Sequence, residues 1–256
     1  MNRAHPFCLD YSRGKLQAVV VFEPSQCAAV IPCFNEAASI AALVPAVRRQ
    51  VLRVCVVDDG STDGTGDLAR RAGALVVRHN RNLGKGAALK TGLACVLQQG
   101  LVWAVTLDGD AQHAPDDLPT LFRCAQESGA ALVIGNRMDQ AGKMAWLRRQ
   151  TNRWMSRELS RQAGRHLPDT QSGFRLMHLA TWAALPLQAE RFEVESETLM
   201  AFLAARQRVE FVPVQVLESR RSSHIHPVAD AIRWMKWWRS IPDFSKGIVV
   251  KRPSPS

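Results

Sequence analysis

Apolar residues in the first half of this chain come in short unbroken runs rather than in strict alternation. Cys27 to Ile31, Val54 to Val57, Ala74 to Val77 and Leu101 to Leu107 are nearly free of polar positions. Runs this short with no polar face are characteristic of strands covered on both sides. Between them lie stretches rich in alanine and leucine with one polar face. These are expected to be helices from Asn35-Glu36 to about Gln50, from Asp67 to Ala72, and from the loop ending at Gly86 to Gln99. Strands alternating with helices predict an α/β fold, a Rossmann-like, mostly parallel sheet covered by helices on both faces. A weaker run, Ala18 to Phe22, suggests an edge strand within an otherwise irregular extension over residues 1–26. The main domain is expected over 27–218, and a basic, tryptophan-rich helix and tail over 219–256.

The polar residues that end these runs carry the candidate chemistry. In sheets of this kind ligands bind beyond the carboxyl ends of the strands, where three loops fall: 32–36, 58–65 and 108–113. The last follows the run Leu101 to Leu107 with Asp108, Asp110 and Gln112. In extended chain, alternate side chains share a face, so these three oxygen-bearing groups are expected to converge on one point. Two carboxylates and an amide oxygen suit a hard divalent cation, Mg²⁺ or Mn²⁺, that keeps positions open for phosphate oxygens. A polar turn with Asp116 capping the next helix also gives this pattern. Asp58 and Asp59 end a strand in the same way, with Ser61 or Thr62 placed to cap a helix. Gly64-x-Gly66-x-x-Ala69 fails as a dinucleotide fingerprint because its glycines lie six or more residues past the strand, among aspartates that repel a pyrophosphate. Lys85 between two glycines fails as a phosphate-binding P-loop because position 79 is His. Its place near a helix start still favours phosphate, since free amides and positive charge meet there.

Composition narrows the class. A length of 256 residues with 46% apolar content fits one large α/β domain. No run of about 18 apolar residues occurs, so no membrane span is expected, and residues 1–26 lack a secretory pattern. A cytoplasmic location follows as an expectation. Six cysteines fall singly with no Cys-x-x-Cys pair, as buried reduced thiols would. The formal charge of +10 calls for an anionic partner. It is concentrated: residues 137–165 hold eight Lys/Arg against two acids, and 219–256 hold eight against two. Neither stretch has a helix-turn-helix, zinc-finger or RNA-binding aromatic signature, so no nucleic-acid partner is expected.

Ile31-Pro-Cys-Phe-Asn-Glu36, Val57-Asp-Asp-Gly-Ser-Thr-Asp-Gly-Thr65, Asn80-x-x-x-Gly-Lys-Gly86 and Asp108-Gly-Asp-Ala-Gln112 follow one another in an order and spacing that resemble family 2 glycosyltransferases. The resemblance is nearest to the polyprenyl-phosphate, dolichyl-phosphate mannose synthase-like group and covers about residues 27–240. It implies a GT-A fold and a nucleotide-sugar donor, UDP- or GDP-linked. Pro32, Glu36 and Asp59 would contact the nucleoside, with Lys85 close to the donor. Asp108, Asp110 and Gln112 would hold the metal on its diphosphate. Asp169-Thr-Gln-Ser-Gly-Phe-Arg175 resembles the family element that brings an acid to the reaction centre, so Asp169, with Asp110, is the expected catalytic carboxylate, ahead of Glu195 or Glu197. Ile134-Gly-Asn-Arg137 resembles a Gly-Ser-Arg element, with Asn136 in place of serine. Trp146-Leu-Arg-Arg149 through Ser156 resembles an acceptor-side helix. Arg137, Arg149 and Arg175 would then clamp a lipid-phosphate acceptor.

Past residue 226, Val228, Ala231, Ile232, Met235 and Trp238 recur at helical spacing, flanked by Trp234 and Trp237 and interleaved with Arg233, Lys236 and Arg239. This is the pattern of an amphipathic helix at an anionic membrane surface, peripheral on the inner face, and equally of a helix packed on the domain. His224 and His226 receive no metal. Two other readings stay open: a soluble glycosyltransferase acting on a small or protein-bound hydroxyl, and an inactive nucleotide-sugar-binding homologue.

Overall fold

The computed structural model describes residues 7–10, 17–143, 146–217 and 227–240. Before residue 27 the structure describes two strands. β1 (Phe7–Asp10) and β2 (Gln17–Val20) form an antiparallel hairpin. Phe22 enters the core, stacked on Phe122 with ring centroids 4.9 Å apart. Trp103 Nε1 donates to the Val21 carbonyl at 3.2 Å. One aromatic residue thus ties the end of the supposed extension into the domain.

The expected alternation follows with small boundary shifts: β3 (Cys27–Cys33), α1 (Ala37–Arg48), β4 (Arg53–Asp58), α2 (Thr65–Arg71), β5 (Leu75–Arg78), α3 (Lys85–Gln98) and β6 (Trp103–Thr106). Asp63 sets two helix starts at once, its carboxylate accepting from the amides of Ala37 and Thr65, each at 3.0 Å. That role belongs neither to Ser61 nor to Thr62. After α4 (Leu118–Ser128) come β7 (Leu132–Asn136), α5 (Trp146–Ala163), β8 (Arg175–His178), α6 (Leu179–Ala183), α7 (Val194–Ala204), β9 (Val209–Pro213) and α8 (Pro227–Ser240). Asp116 does not cap α4: a 3₁₀ turn over Pro115–Asp117 precedes it, and the Asp117 carboxylate accepts from Gln215 N at 2.6 Å.

The seven main strands run β5-β4-β3-β6-β8-β7-β9. β3, β4, β5 and β6 are mutually parallel, β8 lies antiparallel between β6 and β7, and β9 is parallel to β7. This is the helix-covered, mostly parallel α/β sheet of a GT-A arrangement. Its two faces bury separate cores. Ile40, Leu43 and Val47 of α1 and Leu121 and Phe122 of α4 cover one face. Leu89 and Leu93 of α3, Met155 and Leu159 of α5, Leu199 of α7 and Trp234 of α8 cover the other. Among the described residues, no helix is long and apolar enough to cross a membrane.

From β3 the chain moves outward to β4 and β5, then returns to place β6 on the other side of β3. The order therefore reverses between β3 and β6, and loops leaving such a point splay apart into a crevice. Pro32 fits in β3 because its β6 neighbour has already ended: their register runs only to Val30 opposite Thr106, and proline is tolerated where a ladder hydrogen bond is not needed.

α3 approaches the sheet closely through Gly92, where an added Cβ would collide with Val30 Cγ1 and meet Val57 Cγ2 at 2.9 Å. Gly92→Leu should therefore cost about 1–3 kcal/mol of stability through overpacking. Urea denaturation checks this; a midpoint equal to that of the unsubstituted chain would contradict the packing described.

Candidate functional site

The switch-point crevice gathers buried charge. Asp108, just past β6, has Oδ1 2.6 Å from Lys85 Nζ and Oδ2 3.3 Å from His113 Nε2. The same ammonium lies 2.6 Å from Glu195 Oε1 on the first turn of α7. Burial alone would lower the Lys85 pKa, but the charges of Asp108 and Glu195 outweigh it and hold the ammonium above its ordinary value. Burial likewise opposes ionisation of Asp108, yet Lys85 and His113 hold its carboxyl well below the usual range. Apart from the Lys85 ammonium, both Glu195 oxygens lack a hydrogen-bonding partner, although the residue is only 4% exposed.

Side chains from neighbouring loops fix this cluster. Ser39 Oγ of α1 donates to the Gly109 carbonyl at 2.6 Å, drawing the 108–113 loop onto the loop that carries Pro32 and Glu36. Asn35, with φ 56, turns that loop, and its amide donates to Ser61 Oγ at 2.9 Å. Burial, followed by the charges of Glu36, Asp58, Asp108 and Asp110, raises the Cys33 thiol pKa well above normal. Carboxylates thus converge around the end of β3, a field that favours a cation.

Asp108, Asp110 and Gln112 do not follow one another along an extended strand. The chain past β6 is not extended, and Ala111 takes the left-handed φ of 57. Asp110 Oδ1 accepts from the Gln112 amide at 3.1 Å, and Gln112 Oε1 accepts from Arg148 Nη1 at 3.3 Å. Among the described residues, no three His, Cys, Asp or Glu side chains group as a metal site. Two adjacent carboxylates still match a Mg²⁺-type ion, which is held by one or two carboxylates with substrate phosphates and water completing its shell.

Asp59, expected at the nucleoside, is hydrogen-bonded within the protein. Its Oδ1 accepts from His79 Nδ1 at 2.7 Å and from Leu83 N at 2.9 Å, and its Oδ2 from Gly84 N at 2.8 Å. A 3%-exposed carboxylate so occupied holds the loop that presents Lys85.

Asp169, expected at the reaction centre, is paired with Arg137. Arg137 donates from Nε to Oδ2 at 2.8 Å and from Nη2 to Oδ1 at 3.0 Å, while the amides of Arg137 and Gln171 add bonds of 3.2 Å each. Burial works to raise the pKa of Asp169, but Arg137 and these amides hold it below the ordinary 3.8. A fully buried carboxylate with both oxygens engaged is poorly suited to take a proton from an acceptor. The pair also occupies the fork with which Arg137 was expected to grip phosphate. Arg175 is structural as well: it donates to the carbonyls of Ser172, Glu195 and Thr170 at 2.7, 2.6 and 3.0 Å. Glu197 accepts the amides of Gln188 and Ala189, each at 2.9 Å, and so fixes a loop.

Of the expected acceptor arginines, Arg149 is half-buried in α5 with Nε unpaired. Its neighbour Arg148 reaches the site, and burial, then Arg137, lower its pKa. Sequence reasoning passed over Arg148 and over His113. Both adjoin named positions, but helix phase and ring orientation decide which neighbour faces inward. In α8, Trp234 is buried in the domain core rather than offered to a membrane. His224 and His226 lie outside the described residues.

Two outcomes test this geometry. An added Cβ at Gly173 would meet Asp108 Oδ1 at 2.6 Å and Lys85 Nζ at 2.9 Å, so Gly173→Ala should weaken any ligand of the cluster at least tenfold, by about 1.4 kcal/mol; calorimetric titration with unchanged affinity would refute the contact. A carboxyl whose folded pKa is lowered contributes stability that is complete above its unfolded value and is lost as pH falls through the folded value. For Asp169 that window begins near 3.8 and extends below it. Asp169→Asn should flatten acid unfolding in this window and cost about 3–5 kcal/mol at neutral pH, because Arg137 is left buried without its partner. A neutral-pH stability equal to the parent's would contradict the pairing.

A family model described as Glycosyl transferase family 2 matches residues 28–180, more than half of the chain. An undecaprenyl-phosphate mannosyltransferase of Micrococcus luteus is 32% identical over 229 residues, covering 80% of this chain and 92% of that one. A UDP-N-acetylglucosamine–dolichyl-phosphate N-acetylglucosaminyltransferase of Methanococcus voltae is 26% identical, covering 75% of this chain and 86% of that one. Among solved structures, glucosyl-3-phosphoglycerate synthase of M. tuberculosis is similar with a TM-score of 0.69 at 24% identity, over 84% of this chain and 79% of that one. The same enzyme in complex with Mn²⁺, UDP and glucosyl-3-phosphoglycerate gives a TM-score of 0.67 at 22% identity, over 84% and 78%. At such identities the structural likeness speaks for the fold alone. The family model and the 32%-identical relative go further: this chain belongs to glycosyl transferase family 2.

Proposed function

We propose that this chain transfers a sugar from a nucleotide-linked donor to an acceptor oxygen, with inversion at the anomeric carbon. The observation that carries this reading is the cluster of Lys85, Asp108 and Glu195, half-buried at the first two and buried at the third, at the mouth of the switch-point crevice. Asp108 and Asp110 are the groups that would hold a divalent cation, Mg²⁺ or Mn²⁺. When bound, such an ion neutralises charge on the donor diphosphate as it leaves.

The remaining roles belong to the chain's own residues. Lys85 offers a fixed positive charge where negative charge grows in the transition state, in a site where low dielectric strengthens it. Glu195, with unfilled acceptor capacity, suits a hydroxyl of the donor sugar. The loop of Pro32 and Glu36 suits the nucleoside side. A phosphate acceptor is already anionic and needs little help from a base. For a hydroxyl acceptor the proton would pass to Asp110 or Glu195, carboxylates that no arginine has claimed.

For the acceptor we take a small, anionic, hydroxyl-bearing molecule. Supporting this, the M. tuberculosis synthase is described in complex with phosphoglyceric acid, Arg148 stands beside the crevice at Gln112, and the tryptophan face of α8 packs partly inside the domain. A second reading, a polyprenyl phosphate reached from the inner face of an anionic membrane, draws on the name of the M. luteus relative and on Trp146 and Leu147, exposed at 66% and 46% beside that arginine. Location in the cytoplasm fits either.

The test is a thermal-shift series with UDP, GDP, CDP and TDP in the presence and absence of Mn²⁺, with Asp110→Ala alongside. Binding to the folded state alone must raise the melting temperature. One diphosphate should stabilise the chain only with metal, and Asp110→Ala should abolish the effect. No response to any of the four would overturn the donor reading. With the donor class known, transfer to 3-phosphoglycerate, against transfer to undecaprenyl phosphate in anionic vesicles, separates the two acceptors.

A further inference from the structure

Ser196 stands between Glu195 and Glu197 on α7 and is fully buried. Its hydroxyl oxygen accepts from Trp234 Nε1 of α8 at 2.9 Å and from Gln171 Nε2 at 2.7 Å. Gln171 also reaches Thr170 Oγ1 at 3.0 Å, and Thr170 Oγ1 lies 3.2 Å from Ser156 Oγ of α5. One indole N–H therefore closes a polar chain across α8, α7, α5 and the loop after Asp169. Both segments that this chain joins carry a piece of the site. Glu195, one residue before Ser196, meets Lys85 at 2.6 Å. Gly173, two residues past Gln171, backs onto Asp108, so that an added Cβ would lie 2.6 Å from its Oδ1.

Filling space would not require this chemistry. Trp234 is stacked on Trp238 with centroids 5.3 Å apart at 8°, and Trp154 meets it edge-on at 5.2 Å; a phenyl ring would keep most of that contact. A buried indole N–H needs an acceptor, and here the acceptor is the residue beside a site carboxylate, 38 positions away in sequence. Catalytic geometry depends on support of this kind, since small misplacements cost rate more than binding.

We propose that Trp234 is a positioning residue for the transfer site, holding through Ser196 and Gln171 the turn that sets Glu195 against Lys85 and the loop that sets Gly173 against Asp108. The C-terminal helix α8 is then part of the catalytic unit. This rests on the transferase reading above.

The test compares the full chain with Trp234→Phe, Ser196→Ala and the double variant. Release of nucleoside diphosphate is followed with Mn²⁺, a donor (UDP-glucose, UDP-N-acetylglucosamine or GDP-mannose) and an acceptor (3-phosphoglycerate, or undecaprenyl phosphate in anionic vesicles), in whichever pairing the parent turns over. Each single variant should lower kcat about tenfold with the donor KM within about twofold, and the double variant should lose no more than either single one, as partners in one interaction do. A second readout uses ¹⁵N-indole spectra, with the Trp234 signal assigned by its loss in Trp234→Phe. Mg²⁺ with the matching diphosphate should move that signal in the parent and leave it in place in Ser196→Ala. Unchanged kcat, losses that add in the double variant, or a Trp234 signal that ignores a bound diphosphate would each overturn the proposal and leave the transferase reading standing. A parent chain that neither binds nor turns over any donor would remove both.

Discussion

The site depends on a half-buried lysine held between two carboxylates. Taking ions out of water costs several kcal/mol each even after relaxation, and only close pairing offsets this. Lys85 meets the condition with Asp108 and Glu195, both at 2.6 Å. These groups come from three distant places in the chain: the start of α3, the end of β6 and the start of α7. The cluster can exist only if the sheet brings those ends together, and the reversal of strand order between β3 and β6 does so. A site made this way is strongly polarised and already aligned, as stabilisation of growing charge requires.

Around this centre, several charged groups named from their motifs make their hydrogen bonds inside the protein. Asp59 anchors the loop ahead of Lys85, Asp169 neutralises Arg137, and Arg175 ties three carbonyls together. Each is buried, and each spends its hydrogen-bonding capacity inside the protein, which is what a buried polar group must do. Among the described residues, groups with capacity left over include Glu195, with only the Lys85 ammonium beside it, His113 at its Nδ1, Arg149 at its Nε, and Arg148, whose reach to Gln112 is a single long bond.

Much of the architecture was legible in the sequence. The runs at Cys27 to Ile31 and Val54 to Val57 are strands because a stretch with no polar face has to be buried on both sides, and the aspartates ending them mark the ligand edge of the sheet. Helix starts were less accessible: the Asp63 carboxylate serves the amides of both Ala37 and Thr65, a partnership no local pattern reveals. The antiparallel placement of β8 between β6 and β7 is likewise a matter of long-range pairing. In the site, the structure brings Asp108 and Lys85, both named from their motifs, within 2.6 Å of each other. For Asp59, Asp169, Arg137 and Arg175 a motif shows which residues are charged but not which partner each meets inside the fold. The tryptophans of α8 show the same limit, since their helical spacing fits a membrane surface as well as the core that Trp234 enters.

The central claim is that the carboxylate held by Lys85 belongs to the donor-diphosphate site. Electron paramagnetic resonance of Mn²⁺ tests it most directly, comparing the parent chain and Asp108→Asn with and without the diphosphate that the parent prefers. The account predicts that the parent chain converts free Mn²⁺ to a bound signal when the diphosphate is present, and that Asp108→Asn loses this binding while staying folded. Equal binding of the Mn²⁺–nucleotide pair by the two proteins would contradict it.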